Sequence, residues 1–220
     1  MEKTEATLNK VLTARLSEAP EAAKESFHDA TEVIIFGSMA AGLDRFDSDI
    51  DVLCIGNHDY KLKSRSMDLI AVPCRVTEAQ SWLGTELATH VVKYGIWIKG
   101  VPQWKNNVYF AQTTIEAKRR RICAFLTSLQ HPWFRLQGCF REKYSVKLRR
   151  ETQRLILLER NTPIPPTRAL DEARVATRQP TNEVCERLRQ LSPSTGDHWL
   201  EDLIGRVDAH FLRGQPASCK

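Results

Sequence analysis

The stretch Ile35-Phe-Gly-Ser-Met-Ala-Ala-Gly-Leu-Asp-Arg-Phe-Asp-Ser-Asp-Ile-Asp-Val-Leu53 constrains this 220-residue chain more than any other. It opens inside Glu32-Val-Ile-Ile-Phe36, a short run rich in β-branched residues that stops at Gly37-Ser38 and predicts a buried strand. Met39 to Asp47 reads as a helical turn and loop. Asp49 to Ile55, closed by Gly56-Asn57, predicts a second strand. Side chains two apart on a strand share a face, so Asp49 and Asp51 project together while Ile50 and Val52 point the other way.

Two adjacent carboxylates repel each other and are costly to leave uncompensated. A hard cation with oxygen ligands removes that cost, and Mg²⁺ is the usual one beside phosphates. The Gly37-Ser38 corner suits the phosphates themselves. Glycine lets the backbone approach closely, and Ser38 offers a hydroxyl and an N–H at the start of a helical turn. A third strand, Met67 to Val72, is ended by Pro73 and carries Asp68. If it neighbours the second strand, Asp68 completes a metal site or takes a proton from an acceptor group. The residues from Gly56 to Ser66 leave room for a hairpin or a short crossover.

The pattern Gly37-Ser38-x-x-x-Gly42-x5-Ser48-Asp49-Ile50-Asp51 resembles the minimal nucleotidyltransferases of the polymerase β-like superfamily. The resemblance covers roughly residues 30 to 100. It implies that Gly37, Ser38 and Ser48 contact a nucleoside triphosphate, that Asp49 and Asp51 bind two Mg²⁺ ions, and that Asp68 is the third carboxylate. It also implies NMP transfer, with AMP the expected group, to a hydroxyl or amine. The acceptor is left open among a small molecule, a protein side chain and an RNA end such as tRNA. Antitoxins within the family add a possible partner protein. A non-catalytic nucleotide-sensing or partner-binding module on the same fold is the alternative. Many members carry Arg just before the second glycine, where this chain has Ala41.

The remaining sequence predicts an α+β architecture: a small mixed-sheet domain over residues 1–112, then an all-helical domain over 113–220. Leu8, Val11, Leu12 and Leu16 give residues 3–17 a helical apolar stripe, and a second short helix follows from Pro20 to His28. Thr77 to Tyr94 reads as one helix with Gly95 as its cap. Thr113-x-x-Glu116 fits a capping box for a helix to about Leu129. Further helices are expected over 141–160, 167–177, 182–190 and 197–213, with Thr162-Pro-Ile-Pro-Pro166 as a stiff connector.

Charge is uneven. Residues 1–113 carry 12 Lys+Arg against 15 Asp+Glu, and residues 114–220 carry 20 against 12. Lys118-Arg-Arg-Arg121 and the stripe Lys143, Lys147, Arg150 and Arg154 are either solvated helix faces or contacts for a polyanion. Trp82, Trp97, Trp104, Trp133 and Trp199 lack the interleaving with basic residues of a base-stacking platform and are expected in packing, as is His90. The six cysteines form no Cys-x-x-Cys pair and are expected as buried reduced thiols. No apolar run reaches the roughly 20 residues a bilayer span needs. Met1 to Lys10, with Glu2 and Glu5, does not read as a signal peptide, so the expectation is a cytoplasmic protein.

Overall fold

The computed structural model describes residues 5–45, 48–130, 138–176, 180–192 and 201–205. In chain order its elements are α1 (Glu5–Ser17), α2 (Glu21–Asp29), β1 (Glu32–Phe36), α3 (Gly37–Ala40), β2 (Ile50–Gly56), β3 (Tyr60–Lys63), β4 (Met67–Pro73), α4 (Cys74–Thr77), α5 (Gln80–Leu83), α6 (Glu86–Tyr94), β5 (Ile96–Lys99), a 3₁₀ turn (Trp104–Asn107), α7 (Gln112–Gln130), α8 (Gly138–Glu159), α9 (Thr167–Ala176) and α10 (Pro180–Leu191). Residues 201–205 are also helical. The class is α+β, with a mixed sheet followed by helices.

The chain divides into two compact units. One comprises Met1–Ala111 with Pro163–Ala169; the other comprises Gln112–Thr162 with Leu170–Lys220. The first is built on a five-stranded sheet in the order β3-β4-β2-β1-β5. β1 runs antiparallel to both β2 and β5. β2 and β4 are parallel, and β3 pairs antiparallel with the outer side of β4. The segment between β2 and β4 therefore contains an edge strand.

Both faces of the sheet are covered, which is why β1 and β2 read as nearly continuous apolar runs. Val33, Ile35, Ile50, Val52, Met67 and Leu69 pack with Leu8, Leu12 and Leu16 of α1 and Ala23 of α2. Ile34, Phe36, Leu53, Ile55 and Val72 pack on the other face with Trp82, Leu83, Ala88, Val91 and Trp104.

Several sequence expectations need correction. The single helix expected over 77–94 is two short ones, α5 and α6, preceded by α4, which ends at Thr77. Ala79 is extended ahead of α5, and Thr85 begins α6 afresh by accepting the Ala88 N–H at 3.1 Å. β3 and β5 were not anticipated; each has only four residues, the shortest run over which alternation signals a strand. α7 starts at Gln112, so Thr113 lies inside it, and Glu116 accepts from the Gln112 side chain instead of closing a capping box. Cys74 is exposed, unlike buried Cys54 and Cys185. Trp133, Trp199, Cys219, and the side chains of Cys139 and Lys143 lie outside the described residues, as does most of the expected helix 197–213.

In the helical unit Ile122, Leu126, Leu148, Leu155, Val184 and Leu188 are buried. Among its described residues, many of the basic side chains are paired internally. Lys118 is buried on Glu151 at 2.9 Å, and Arg119 and Arg187 share Glu159. Arg149 and Arg150 converge on Asp171, Arg154 pairs with Glu151, and Lys147 sits over the Phe125 ring. From the run and the stripe, Lys118, Arg119 and Arg150 thus form ion pairs between helices and Arg154 pairs within α8, uses that helical spacing alone did not reveal. Among the described residues, no helix is long and apolar enough to cross a membrane.

Arg149 is 1% exposed, so its charge depends on compensation inside the protein. Asp171→Ala is expected to destabilise the helical unit by about 3–5 kcal/mol in denaturant unfolding, because it removes the carboxylate bonded to both Arg149 and Arg150. A cost below about 1 kcal/mol, the range of an exposed pair, would contradict this assignment.

Candidate active site

β-sheet register brings the acidic residues together. Phe36 pairs with Asp51 across the β1–β2 ladder, Asp51 with Asp68 across β2–β4, and Asp68 with Lys63 across β4–β3. Directly opposed residues project from the same face, so Asp51, Asp68 and Lys63 stand in one row. Asp49 lies one residue before β2 and is close enough for its charge to act on Asp51.

The row ends against Gly37. This residue has φ +72°, and a Cβ there would lie 1.9 Å from Asp51 Oδ2. Both the left-handed backbone and the close approach of the carboxylate require glycine. Gly37 opens the short turn α3, in which Ser38 is half-buried. Gly42 again takes positive φ, and the Leu43 N–H returns to the Ser38 carbonyl at 2.9 Å. Ser48 serves its own turn: its hydroxyl accepts the Arg45 N–H at 2.8 Å, and its N–H donates to the Arg45 carbonyl.

Electrostatically the row is under tension. Burial, followed by the charges of Asp49 and Asp68, pushes the Asp51 carboxyl up to about 7, with Lys63 opposing. Lys63 Nζ donates to Asp68 Oδ2 at 3.0 Å. That bond to Asp68 raises the Lys63 pKa. Among the described residues, no three His, Cys, Asp or Glu side chains converge closely enough to hold a metal ion. The all-oxygen pair Asp49 and Asp51 nevertheless fits Mg²⁺, which commonly binds through one or two carboxylates and lets substrate phosphates and water supply the rest.

Two contributors were not anticipated from sequence. Lys63 sits on the unforeseen strand β3. Arg168 comes from far along the chain, in the segment Pro163–Ala169 that packs as part of this unit. Its guanidinium donates to the Leu43 carbonyl in the loop between Ser38 and Asp49. The same segment is held by a hydrogen bond between His90 Nδ1 and the Ile164 carbonyl at 2.7 Å, and Ile164 is buried. His90 is also in edge contact with the Phe36 ring, so it packs here, as expected.

Residues 16–122 match the family model described as a nucleotidyltransferase domain. The chain carries a nucleotidyltransferase domain. The match contains the whole sheet and every member of the acidic row. Comparison with curated proteins gave no match. One solved structure, described as the crystal structure of a toxin–antitoxin with AMP-PNP, is similar at 21% identity and TM-score 0.26, over 54% of this chain and 89% of that one.

The raised Asp51 pKa gives the nucleotidyltransferase domain a defined pH signature. The folded protein holds a proton on Asp51 up to about pH 7, whereas the unfolded chain releases it near 3.8. Asp51 therefore lowers stability progressively as pH rises through that window. In metal-free buffer, Asp51→Asn is expected to match the parent at pH 4 and to exceed it by on the order of 2 kcal/mol at pH 8. A difference independent of pH would show that Asp51 is not under this strain.

Arg168 makes a second forecast. Arg168→Ala is expected to speed amide hydrogen exchange in the peptide spanning Ser38 to Asp49 about tenfold, with Arg168→Lys restoring part of the protection. Unchanged exchange would remove Arg168 from the support of this loop.

Proposed function

We propose that this protein transfers a nucleoside monophosphate, AMP foremost, from a nucleoside triphosphate to a hydroxyl or amine, with release of pyrophosphate. The observation that carries this reading is the side-by-side register of Asp51 and Asp68 beneath Gly37, with Asp49 adjoining. It concentrates anionic oxygen against the turn that begins at Gly37, and the domain family agrees with it.

Asp49 and Asp51 would hold two Mg²⁺ ions, which supply charge neutralisation for the triphosphate and its transition state. The burial and the mutual repulsion that raise the Asp51 pKa are both offset when positive charge occupies the pair. Gly37 and Ser38 orient the β- and γ-phosphates. The acceptor oxygen or nitrogen attacks the α-phosphorus in line. The bond from that phosphorus to the α–β bridging oxygen breaks, and pyrophosphate leaves with the electron pair. Asp68 receives the acceptor proton. Lys63 keeps one Asp68 oxygen engaged, which orients the carboxylate and leaves the other oxygen for the proton. Most of the rate comes from positioning and charge neutralisation.

A single thermal-stability series tests the reading. The parent protein is expected to be stabilised by ATP with Mg²⁺ and by neither alone, with GTP, CTP and UTP ranking base preference. Asp49→Ala and Asp51→Ala are each expected to lose both that stabilisation and metal-dependent turnover while remaining folded. Asp68→Asn is expected to keep the stabilisation and lose about 10²–10⁴-fold in turnover, as removal of a general base does. Loss of the ATP·Mg²⁺ shift in Asp68→Asn would make Asp68 a metal ligand instead. No shift in the parent with any nucleotide would favour the partner-binding module.

A further inference from the structure

A second concave site lies at the other end of the same sheet. The β1–β2 ladder places Phe36 against Asp51 at one end and Glu32 against Ile55 at the other. Glu32 and Phe36 are four positions apart on β1, roughly 13 Å at about 3.3 Å per residue. At the Glu32 end is a cavity of ≈ 600 Å³. That falls inside the range of about 300–1,000 Å³ typical of small-molecule sites. It opens where the parallel strands β2 and β4 finish, the edge at which open α/β sheets commonly take ligands.

The walls of this cavity are built by specific contacts. Gly100 has φ +82°, and a Cβ there would meet the Thr31 carbonyl at 2.3 Å. This tight turn carries the chain from β5 into the 3₁₀ turn and brings Gln103, Trp104 and Asn107 over the cavity. The Trp104 ring is buried and fixed edge-on by Trp82. Among the described residues, the lining includes two carboxylates, Glu32 and Glu78, and no Lys, Arg or His.

Glu32 is the informative residue. Its Oε2 accepts the indole N–H groups of both Trp97 and Trp104, each at 3.2 Å. Two neutral donors hold the carboxylate in place without neutralising it. A glutamine carbonyl would satisfy both indoles equally well, so their hydrogen bonding does not explain a charge at this position. Among the described residues, no Lys, Arg or His forms an ion pair with Glu32. A fixed carboxylate without an ion pair among the described residues, beside an indole wall and with amides and hydroxyls around it, matches the chemistry of a cation that also donates hydrogen bonds.

We propose that this cavity binds a small organic cation bearing ammonium or guanidinium groups, at a site separate from the nucleotidyl-transfer residues. Glu32 supplies the main charge and the Trp104 ring the apolar wall. Glu78, at the mouth, supplies a second, exposed charge. The proposal stands whether or not the acidic row at the other end performs nucleotidyl transfer.

Calorimetric titration of the full chain with agmatine and with spermidine, at moderate salt and with 1,5-pentanediol as the neutral control, tests it. Saturable binding of at least one cation and none of the diol is expected. Glu32→Gln, which preserves an acceptor for both indoles, is expected to weaken binding at least tenfold, and Glu78→Gln about threefold. Asp51→Asn is expected to leave binding unchanged. Alkylation of Cys74, an exposed lining residue, is expected to slow when the cation is bound. Absence of saturable heat for both cations up to about 10 mM would overturn the proposal. So would binding that survives Glu32→Gln and disappears in Asp51→Asn, which would place the cation on the acidic row. Should Glu32→Gln unfold, the Glu78→Gln effect and the Cys74 protection decide.

Discussion

The antiparallel register of β1 on β2 governs the rest of this molecule. It sets Phe36 opposite Asp51, so the turn that begins at Gly37 rises directly over the Asp51 carboxylate. The parallel pairing of β2 with β4 then adds Asp68 to the row, and β3 adds Lys63. A slip of one residue would carry the carboxylates to the opposite face, among Ile50, Val52 and Leu69. The apolar alternation on β2 makes that slip prohibitive, because it would expose one core while burying charge in the other. Packing on both faces therefore specifies the position of the chemistry as firmly as any contact within the site.

That position is held at a cost. Asp51 is crowded by burial and by two neighbouring carboxylates, and its proton affinity records the strain. Such an arrangement gains nothing for folding. It is sustained by the surrounding cores, in which Ile34, Ile35, Leu53 and Ile55 are essentially inaccessible to water. Stability supplied by the sheet is traded for local charge density, a common relation between scaffold and site.

Much of this was legible in the sequence, for local reasons. β1, β2 and β4 announce themselves through β-branched runs bounded by glycine or proline, and Asp49, Asp51 and Asp68 fall at their edges. The illegible parts depended on distance or on short elements. Lys63 sits in Tyr60-Lys-Leu-Lys63, whose polar positions resemble a loop until pairing with β4 is known. Arg168 meets a carbonyl 125 residues away, a relation no local pattern encodes. The basic stripe on α8 illustrates a different limit. Helical spacing shows which residues share a face, whereas Asp171 and Glu151 decide what that face meets. Cys74 departs from the buried-thiol rule because it begins α4 immediately after Pro73, at the rim of the sheet.

The inclusion of Pro163–Ala169 in the first unit bears on the order of events during synthesis. The sheet is complete once β5 has emerged, yet the residues that anchor the loop above Asp51 are translated more than sixty positions later. The nascent sheet must wait while α7 and α8 are made, with its Leu43 loop lacking the Arg168 contact. Closing so long an intervening segment adds little entropic cost beyond that of a short one. Maturation of the acidic row and its loop is thereby coupled to translation of the helical half, and a ribosome stalled before codon 168 would leave the sheet formed and the loop unanchored.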